Sequence, residues 1–126
     1  MVMKASKKKP QLSRTEALGS VPIKNTEVEE VLLESEDIML IYPVKVKPWA
    51  VGLLRKLGKP PEQIGRKKLQ LDALGTSVWK LLDGHRNVKG IIKIFTQQQQ
   101  VHRKEAEVAV TQFLRELGKR GLLGIK

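Results

Sequence analysis

The sequence predicts an α+β fold, and two patterns support that class. Apolar residues alternate with polar ones in the runs that begin at Ile38 and Leu69, whereas from Ala73 onward they recur at helical spacing. Because the strand-like runs come first and the helix-like runs follow, an antiparallel sheet covered by helices is expected. With 126 residues, of which 40% are hydrophobic, the chain can build one core, and we assign residues 27–126 to a single domain.

The first 26 residues differ in composition from the rest. They contain Lys7-Lys8-Lys9 and Pro10 but few large apolar side chains, so they bury too little surface to offset the entropy of ordering. A basic, disordered tail is therefore predicted for residues 1–26.

Three strands are predicted. The first lies within Glu27 to Asp37, and its register is ambiguous. The second places five residues on one face, and the third, RKKLQLD, places two leucines opposite Lys68 and Gln70. The inward residues of these two strands are Ile38, Leu40, Tyr42, Val44, Val46, Leu69 and Leu71.

Four helices are predicted. An insertion at about residues 48–58, PWAVGLLRKLG, starts with Pro48 and stops at Gly58. Asp72 caps the second helix, which Gly84 ends; Asn87 caps the third; and the last runs from about Arg103 to Lys119. The expected core positions of these last three helices are Leu74, Val78, Leu81, Leu82, Val88, Ile91, Ile92, Phe95, Ala106, Val110, Phe113, Leu114 and Leu117.

Composition restricts the classes of function. The absence of cysteine removes disulfides, thiolate metal sites and cysteine nucleophiles. His85 and His102 lack metal-ligand spacing, and no glycine-rich phosphate loop occurs. We therefore expect a cytoplasmic protein that is not an enzyme and has no metal, cofactor or membrane span.

Two surfaces remain as candidates for binding. Eight Lys or Arg residues lie between Lys45 and Lys68 against the single acid Glu62, and the formal net charge of the whole chain is +11. Either this is a solvated face that keeps the protein soluble or it attracts an acidic partner. The second surface is a stripe on the outer side of the last helix, opposite its core positions: Lys104, Val108, Thr111 and Arg115.

The order of these segments resembles the PqqD-like family, the recognition elements for precursor peptides of ribosomally made, modified products. The resemblance spans about Leu40 to Ile125 and rests on KLQLDALGTSVWKLLDGHRNVKGII and EAEVAVTQFLRELGKRGLLG. It implies a winged-helix-like domain, with three antiparallel strands packed on a three-helix bundle, and no catalysis. The tail and the insertion depart from the compact family pattern, so the resemblance indicates the family and leaves the pathway open.

The resemblance also implies a site. In the family, the leader segment of a precursor peptide lies along the third strand, beside the third helix of the bundle, and adding a strand to an open edge is a physically reasonable mode of binding. The residues that this implies here are Lys67, Lys68, Leu69, Gln70 and Leu71 in the strand and Lys104, Val108, Thr111 and Arg115 in the helix. We expect the side chains of Leu69 and Leu71 to join the core while their backbone binds the ligand.

The expected partners are an acidic leader peptide and a modifying enzyme of the radical S-adenosylmethionine type, as in the biosynthesis of pyrroloquinoline quinone. The alternative is a winged-helix protein that binds DNA through the last helix. Glu105 and Glu107 near the start of that helix would repel phosphates, so no specific nucleic acid is expected.

Overall fold

The structure is a computed structural model that describes residues 13–43, 48–58 and 65–126. Its elements, in chain order, are α1 (Arg14–Gly19), β1 (Pro22–Lys24), β2 (Glu29–Leu32), β3 (Ile38–Pro43), α2 (Pro48–Lys56), β4 (Arg66–Gln70), α3 (Ala73–Leu81), α4 (Val88–Gln99), α5 (Arg103–Lys119) and β5 (Leu123–Ile125). The predicted α+β class, with a three-stranded antiparallel sheet and helices, is confirmed.

The main sheet has the order β2-β3-β4, and both of its pairings are antiparallel. Ile38, Leu40 and Tyr42 of β3 are buried, as their alternation predicts. Leu40 lies opposite Leu69 of β4, so the inner face of the sheet carries both residues. The part of the predicted second strand from Val44 to Lys47 lies outside the described residues.

The helix boundaries follow the predicted caps. The side chain of Asp72 accepts a hydrogen bond from the backbone N–H of Gly75, and that of Asn87 accepts one from Gly90. Nδ1 of His102 accepts from the N–H of Lys104, so this histidine caps α5. The predicted end of α3 at Gly84 is wrong: the helix ends at Leu81, its C-cap Leu82 is extended, and Gly84, at φ +79°, lies in the turn beyond.

The core lies between the inner face of the sheet and helices α3, α4 and α5, and Trp79 is at its centre with no exposed surface. Nζ of Lys24 lies 4.7 Å from the centroid of the Trp79 ring and 3.4 Å from Oε2 of Glu30. Most of the predicted core positions are buried, and Phe113 is partly buried. The prediction that Leu74 belongs to the core is wrong, because half of its surface is exposed.

The prediction of a disordered tail is wrong for residues 13–26. Ser13 and Glu16 form a reciprocal capping box that starts α1, and Ser20 then accepts a hydrogen bond from the N–H of Val88. Strand β1 pairs with β5 at the far end of the chain, with Pro22 opposite Ile125. This segment folds because it packs on α4 and completes a second, two-stranded sheet. Residues 1–12 lie outside the described part.

The insertion forms the predicted short helix, α2. None of its side chains is buried, and Trp49, with 75% of its surface exposed, lies on one side of the helix with Leu53 and Leu57. The predicted helix therefore exists, but it contributes little to the core.

Candidate functional site

Strand β4 lies at one edge of the main sheet. Among the described residues it pairs only with β3, so its other side has no backbone partner there. An edge of this kind leaves backbone donors and acceptors available to another chain. An open edge at this strand was predicted, and the described part of the structure contains it.

The hydrogen-bond pattern determines which residues of β4 contribute to the open edge. The N–H of Leu71 donates to the carbonyl of Ile38 at 2.8 Å, so these two residues form a hydrogen-bonded pair. Because such pairs recur at every second residue of an antiparallel ladder, Leu69 and Lys67 also direct their backbone groups toward β3. The open edge therefore consists of the N–H and C=O groups of Arg66, Lys68 and Gln70.

This pattern corrects one expectation. The side chains of Leu69 and Leu71 do contact or join the core, as predicted. Their backbone groups, however, point to β3 and are not part of the open edge. The backbone N–H and C=O groups of Lys68 and Gln70 belong to the open edge instead.

The side chains of β4 divide between the two faces of the sheet. Lys67 lies opposite Tyr42 on the inner face, whereas Arg66, Lys68 and Gln70 are on the outer face. Nη1 of Arg66 donates to Oε1 of Glu29 at 2.8 Å, across the intervening strand β3. Lys67 is consequently the basic residue of β4 that lies on the same face as the helices.

Two contacts position the second half of α5 relative to β4. At one end, Phe113 of α5 packs so closely on Gly75 that a β-carbon there would be 2.9 Å from the ring atom Cε1. At the other end, Nη1 of Arg120, the residue that caps α5, lies 3.4 Å from the hydroxyl of Tyr42. Gly75 follows the end of β4, and Tyr42 is opposite its start.

These two contacts mean that α5 runs alongside β4 in the opposite direction. The seven steps from Phe113 to Arg120 rise about 10 Å along the helix. The four steps from Lys67 to Leu71 span about 13 Å of strand. We call the space between the open edge of β4 (Arg66–Gln70) and the Phe113–Arg120 flank of α5 the β4–α5 groove.

The predicted helix stripe lies on another side of α5. At about 100° per residue, Lys104, Val108, Thr111 and Arg115 are each between about 120° and 180° from Phe113 and Arg120 around the helix. The hydroxyl of Thr111 donates to the carbonyl of Glu107, one turn earlier, and Val108 has 55% of its surface exposed. The structure therefore brings the five predicted residues at 67–71 together but separates them from the predicted stripe.

The face of α5 beside the stripe has a partner inside the protein. Nε and Nη2 of Arg14 in α1 donate to the two carboxylate oxygens of Glu107, each at 2.8 Å. This hydrogen bond lowers the pKa of Glu107 below the ordinary value of 4.5. This side of α5 is therefore in contact with α1.

A cavity of about 370 Å³ lies at the Lys67 end of the β4–α5 groove. Its wall includes Tyr42, Lys67, Lys119 and Arg120, together with the neutral residue Asn25. None of the described residues that line it has a carboxylate, although Lys119 forms a 3.5 Å ion pair with Glu116. Among the described residues, neither Lys67 nor Arg120 forms an ion pair.

The described residues contain no arrangement typical of a metal site, since no three His, Asp or Glu side chains group closely enough there to hold an ion. None of the helices in the same ranges combines the length and apolar character that a membrane span requires.

The fold and the groove define a winged-helix-like α+β domain whose sheet has an open edge beside a helix. The chain belongs to the PqqD family, since residues 51–123, more than half of its length, match the family described as coenzyme PQQ synthesis protein D. The match includes β4, α3, α4 and α5. Membership confirms the resemblance that the sequence motifs indicated.

A solved structure described as TbiB1 in complex with the TbiA(beta) leader peptide is similar in fold. The TM-score is 0.57 and the sequence identity 21%, over 80% of this chain and 93% of that chain. At this identity the similarity shows the fold. Among curated proteins, none matches significantly in sequence.

Proposed function

We propose that this chain is a peptide-recognition domain that captures the leader segment of a ribosomally made precursor peptide. The leader adds to β4 as a further strand, and the domain presents it to the enzyme that modifies the precursor. The observation that carries this proposal is the open edge of β4 beside the Phe113–Arg120 flank of α5. Backbone hydrogen bonds to such an edge supply affinity, and the side-chain wall supplies selectivity.

Family membership and the likeness to a fold solved with a leader peptide support the proposal. In the proposed complex the peptide backbone bonds to Arg66, Lys68 and Gln70, and Phe113 contacts its inward side chains. The predicted stripe, including Lys104 and Arg115, has no part in this binding. Three consecutive cations at residues 66–68 favour an acidic leader.

The proposed partner enzyme is of the radical S-adenosylmethionine type, and the iron-sulfur cluster of the reaction belongs to that enzyme. This protein contributes binding and no catalysis. A short precursor gene and a radical-enzyme gene beside the gene for this chain are expected. Neighbouring genes that encode neither would contradict the assignment of the enzyme.

The peptide proposal can be tested with a displayed library of random 14-residue peptides. We expect selection on the full chain to enrich peptides that bind in an extended form. Titrating a selected peptide into the ¹⁵N-labelled protein should then shift the amide signals of Lys68, Gln70 and Phe113. Failure to enrich any peptide, or shifts confined to the Lys104–Arg115 face of α5, would overturn the proposal.

A matched pair of variants separates backbone pairing from side-chain contacts. Lys68→Pro removes an N–H from the open edge without removing a bond to β3, so we expect at least tenfold weaker binding. Lys68→Gln removes only the charge and should bind within about fivefold of the wild type. Equal affinity of the proline and glutamine variants would contradict strand addition.

A further inference from the structure

We infer that the cavity beside Lys67 binds an acidic side chain of the bound peptide and thereby fixes the peptide's register on β4. This inference deepens the proposed function and rests on it. Among the described residues, three cationic side chains and no carboxylate line the cavity, which lies at one end of the β4–α5 groove. It is therefore chemically suited to a carboxylate that arrives with the added strand.

The geometry of strand addition directs one peptide side chain into this cavity. Side chains alternate along a strand, so every second residue of the peptide lies on the inner face of the sheet, whichever way the peptide runs. The residue opposite Lys67 is on that face, and cross-strand neighbours on one face have β-carbons about 4.5–5.5 Å apart. A carboxylate at this position is within reach of the Lys67 ammonium.

A second cation in the wall of the cavity, Arg120, is held in position by Tyr42. The guanidinium of Arg120 contacts the hydroxyl of Tyr42, a buried side chain of β3 opposite Lys67. Its remaining N–H groups can donate to an incoming carboxylate. Glu116, the acidic residue of the Phe113–Arg120 flank, pairs with Lys119 and so offsets one of the three lining charges.

The next inward position of the peptide has a different environment. Two residues from the acidic one, the peptide side chain lies opposite Leu69, which is partly buried against the core. Phe113 lies farther along the same wall, toward the Asp72 end of the strand. The groove thus selects peptides with an acidic and an apolar residue two positions apart, and the charge contact prevents a slip of the strand by two residues.

A change of specificity tests the inference. The random 14-residue library is selected in parallel on the wild type, on Lys67→Glu and on Lys89→Glu, a control with the same change of charge at an exposed position of α4. We expect the wild type and Lys89→Glu to enrich Asp or Glu two positions from an apolar residue. Lys67→Glu should enrich Lys or Arg at that position instead.

A double-mutant cycle measures the strength of the contact between Lys67 and the acidic residue of the peptide. Replacing the acidic residue of a selected peptide by its amide should weaken binding to the wild type about fivefold, as expected for an exposed ion pair. The same replacement should change binding to Lys67→Gln by less than twofold, because the partner is already lost.

The possible failures are distinguishable. If peptides still shift Lys68 and Gln70 but Lys67→Glu selects the same residues as Lys89→Glu, the role of the cavity is refuted and the peptide proposal stands. If no selected peptide shifts the residues of β4, both are refuted. A preference for basic peptide residues that appears with Lys67→Glu but not with Lys89→Glu supports both the peptide proposal and the role of the cavity.

Discussion

Phe113 and Gly75 are in contact, and the contact fixes one wall of the groove. A β-carbon at Gly75 would lie 2.9 Å from Cε1 of Phe113 and 3.1 Å from Oδ1 of Asp72. The backbone N–H of Gly75 also donates to that carboxylate at 2.7 Å. A residue without a side chain thus allows the start of α3 to approach α5.

Gly75→Ala should therefore impair binding more than folding. Alanine favours the helix by up to about 1 kcal/mol, but its methyl group displaces the Phe113 ring. We expect the free energy of unfolding to change by less than about 1 kcal/mol, and the affinity for a selected peptide to fall severalfold. Urea denaturation and a binding titration measure the two effects.

Gly118→Ala is the matched control for this substitution. Gly118 lies in α5, and the nearest atom that its added methyl would meet is 4.0 Å away, on Leu123. Only the gain in helix propensity remains, so affinity should stay unchanged. Equal affinities of the two variants would show that the Phe113 ring does not contact the peptide.

Thr76 connects α3 to the sheet. Its hydroxyl, on a residue with only 5% of its surface exposed, accepts a hydrogen bond from the N–H of Ile38 at 3.0 Å. Thr76→Val keeps the shape but leaves that buried N–H without a partner, which should lower the free energy of unfolding by about 1–3 kcal/mol.

Thr96→Val provides the comparison, because the hydroxyl of Thr96 donates only to the carbonyl of Ile92 within its own helix. Removing it should cost less than about 1 kcal/mol. Urea denaturation of both variants is the measurement, and similar losses would contradict the special role of Thr76.

The pairing of Arg14 with Glu107 makes the docking of α1 sensitive to acid. Because Arg14 lowers the pKa of Glu107 in the folded protein, the stabilising contribution is complete above the ordinary value of 4.5 and is lost as the pH falls through the lowered value. Arg14→Gln should raise the pKa of Glu107, measured by NMR of its carboxyl carbon. Lys119→Gln, at the other end of α5, should leave that pKa unchanged; a pKa unaffected by Arg14→Gln would contradict the pairing.

The strands and helices with strong periodicity could be predicted from the sequence, and the wall of the groove could not. The spacing of Val110, Leu114 and Leu117 identifies the buried face of α5. It does not reveal which neighbour lies on each flank, because that depends on how the helix crosses the sheet. The sequence pointed to the exposed stripe opposite the core, whereas Phe113 and Arg120, on a flank of α5 next to the core, have no periodicity that marks them.

Segment 13–26 was missed for a related reason. Strands β1 and β5 have three residues each and show no alternation, and their pairing joins the two ends of the described chain. Only tertiary context stabilises such short strands. One local signal was present, since Ser13 and Glu16 have the spacing of a capping box.

The alternation of backbone groups along β4 leads to a prediction for hydrogen exchange. The N–H groups of Lys67 and Leu69 bond to β3 and should exchange slowly, whereas those of Lys68 and Gln70 face the open edge and should exchange fast. Binding of a selected peptide should slow exchange at Lys68 and Gln70. Slow exchange at all four residues of the free protein would mean that the edge is already paired.

The same alternation predicts opposite tolerance to proline at adjacent positions. Lys67→Pro removes the N–H that bonds to Tyr42 across the ladder, so the variant should lose about 1–3 kcal/mol of the free energy of unfolding. Lys68→Pro removes an N–H that has no partner in the described structure, and an edge strand tolerates proline there, so its cost should be less than about 1 kcal/mol. Urea denaturation measures both, and equal costs would place the open edge on the other set of residues. Because the Lys68→Pro variant should remain folded, its loss of peptide binding can be attributed to the missing N–H donor at the open edge.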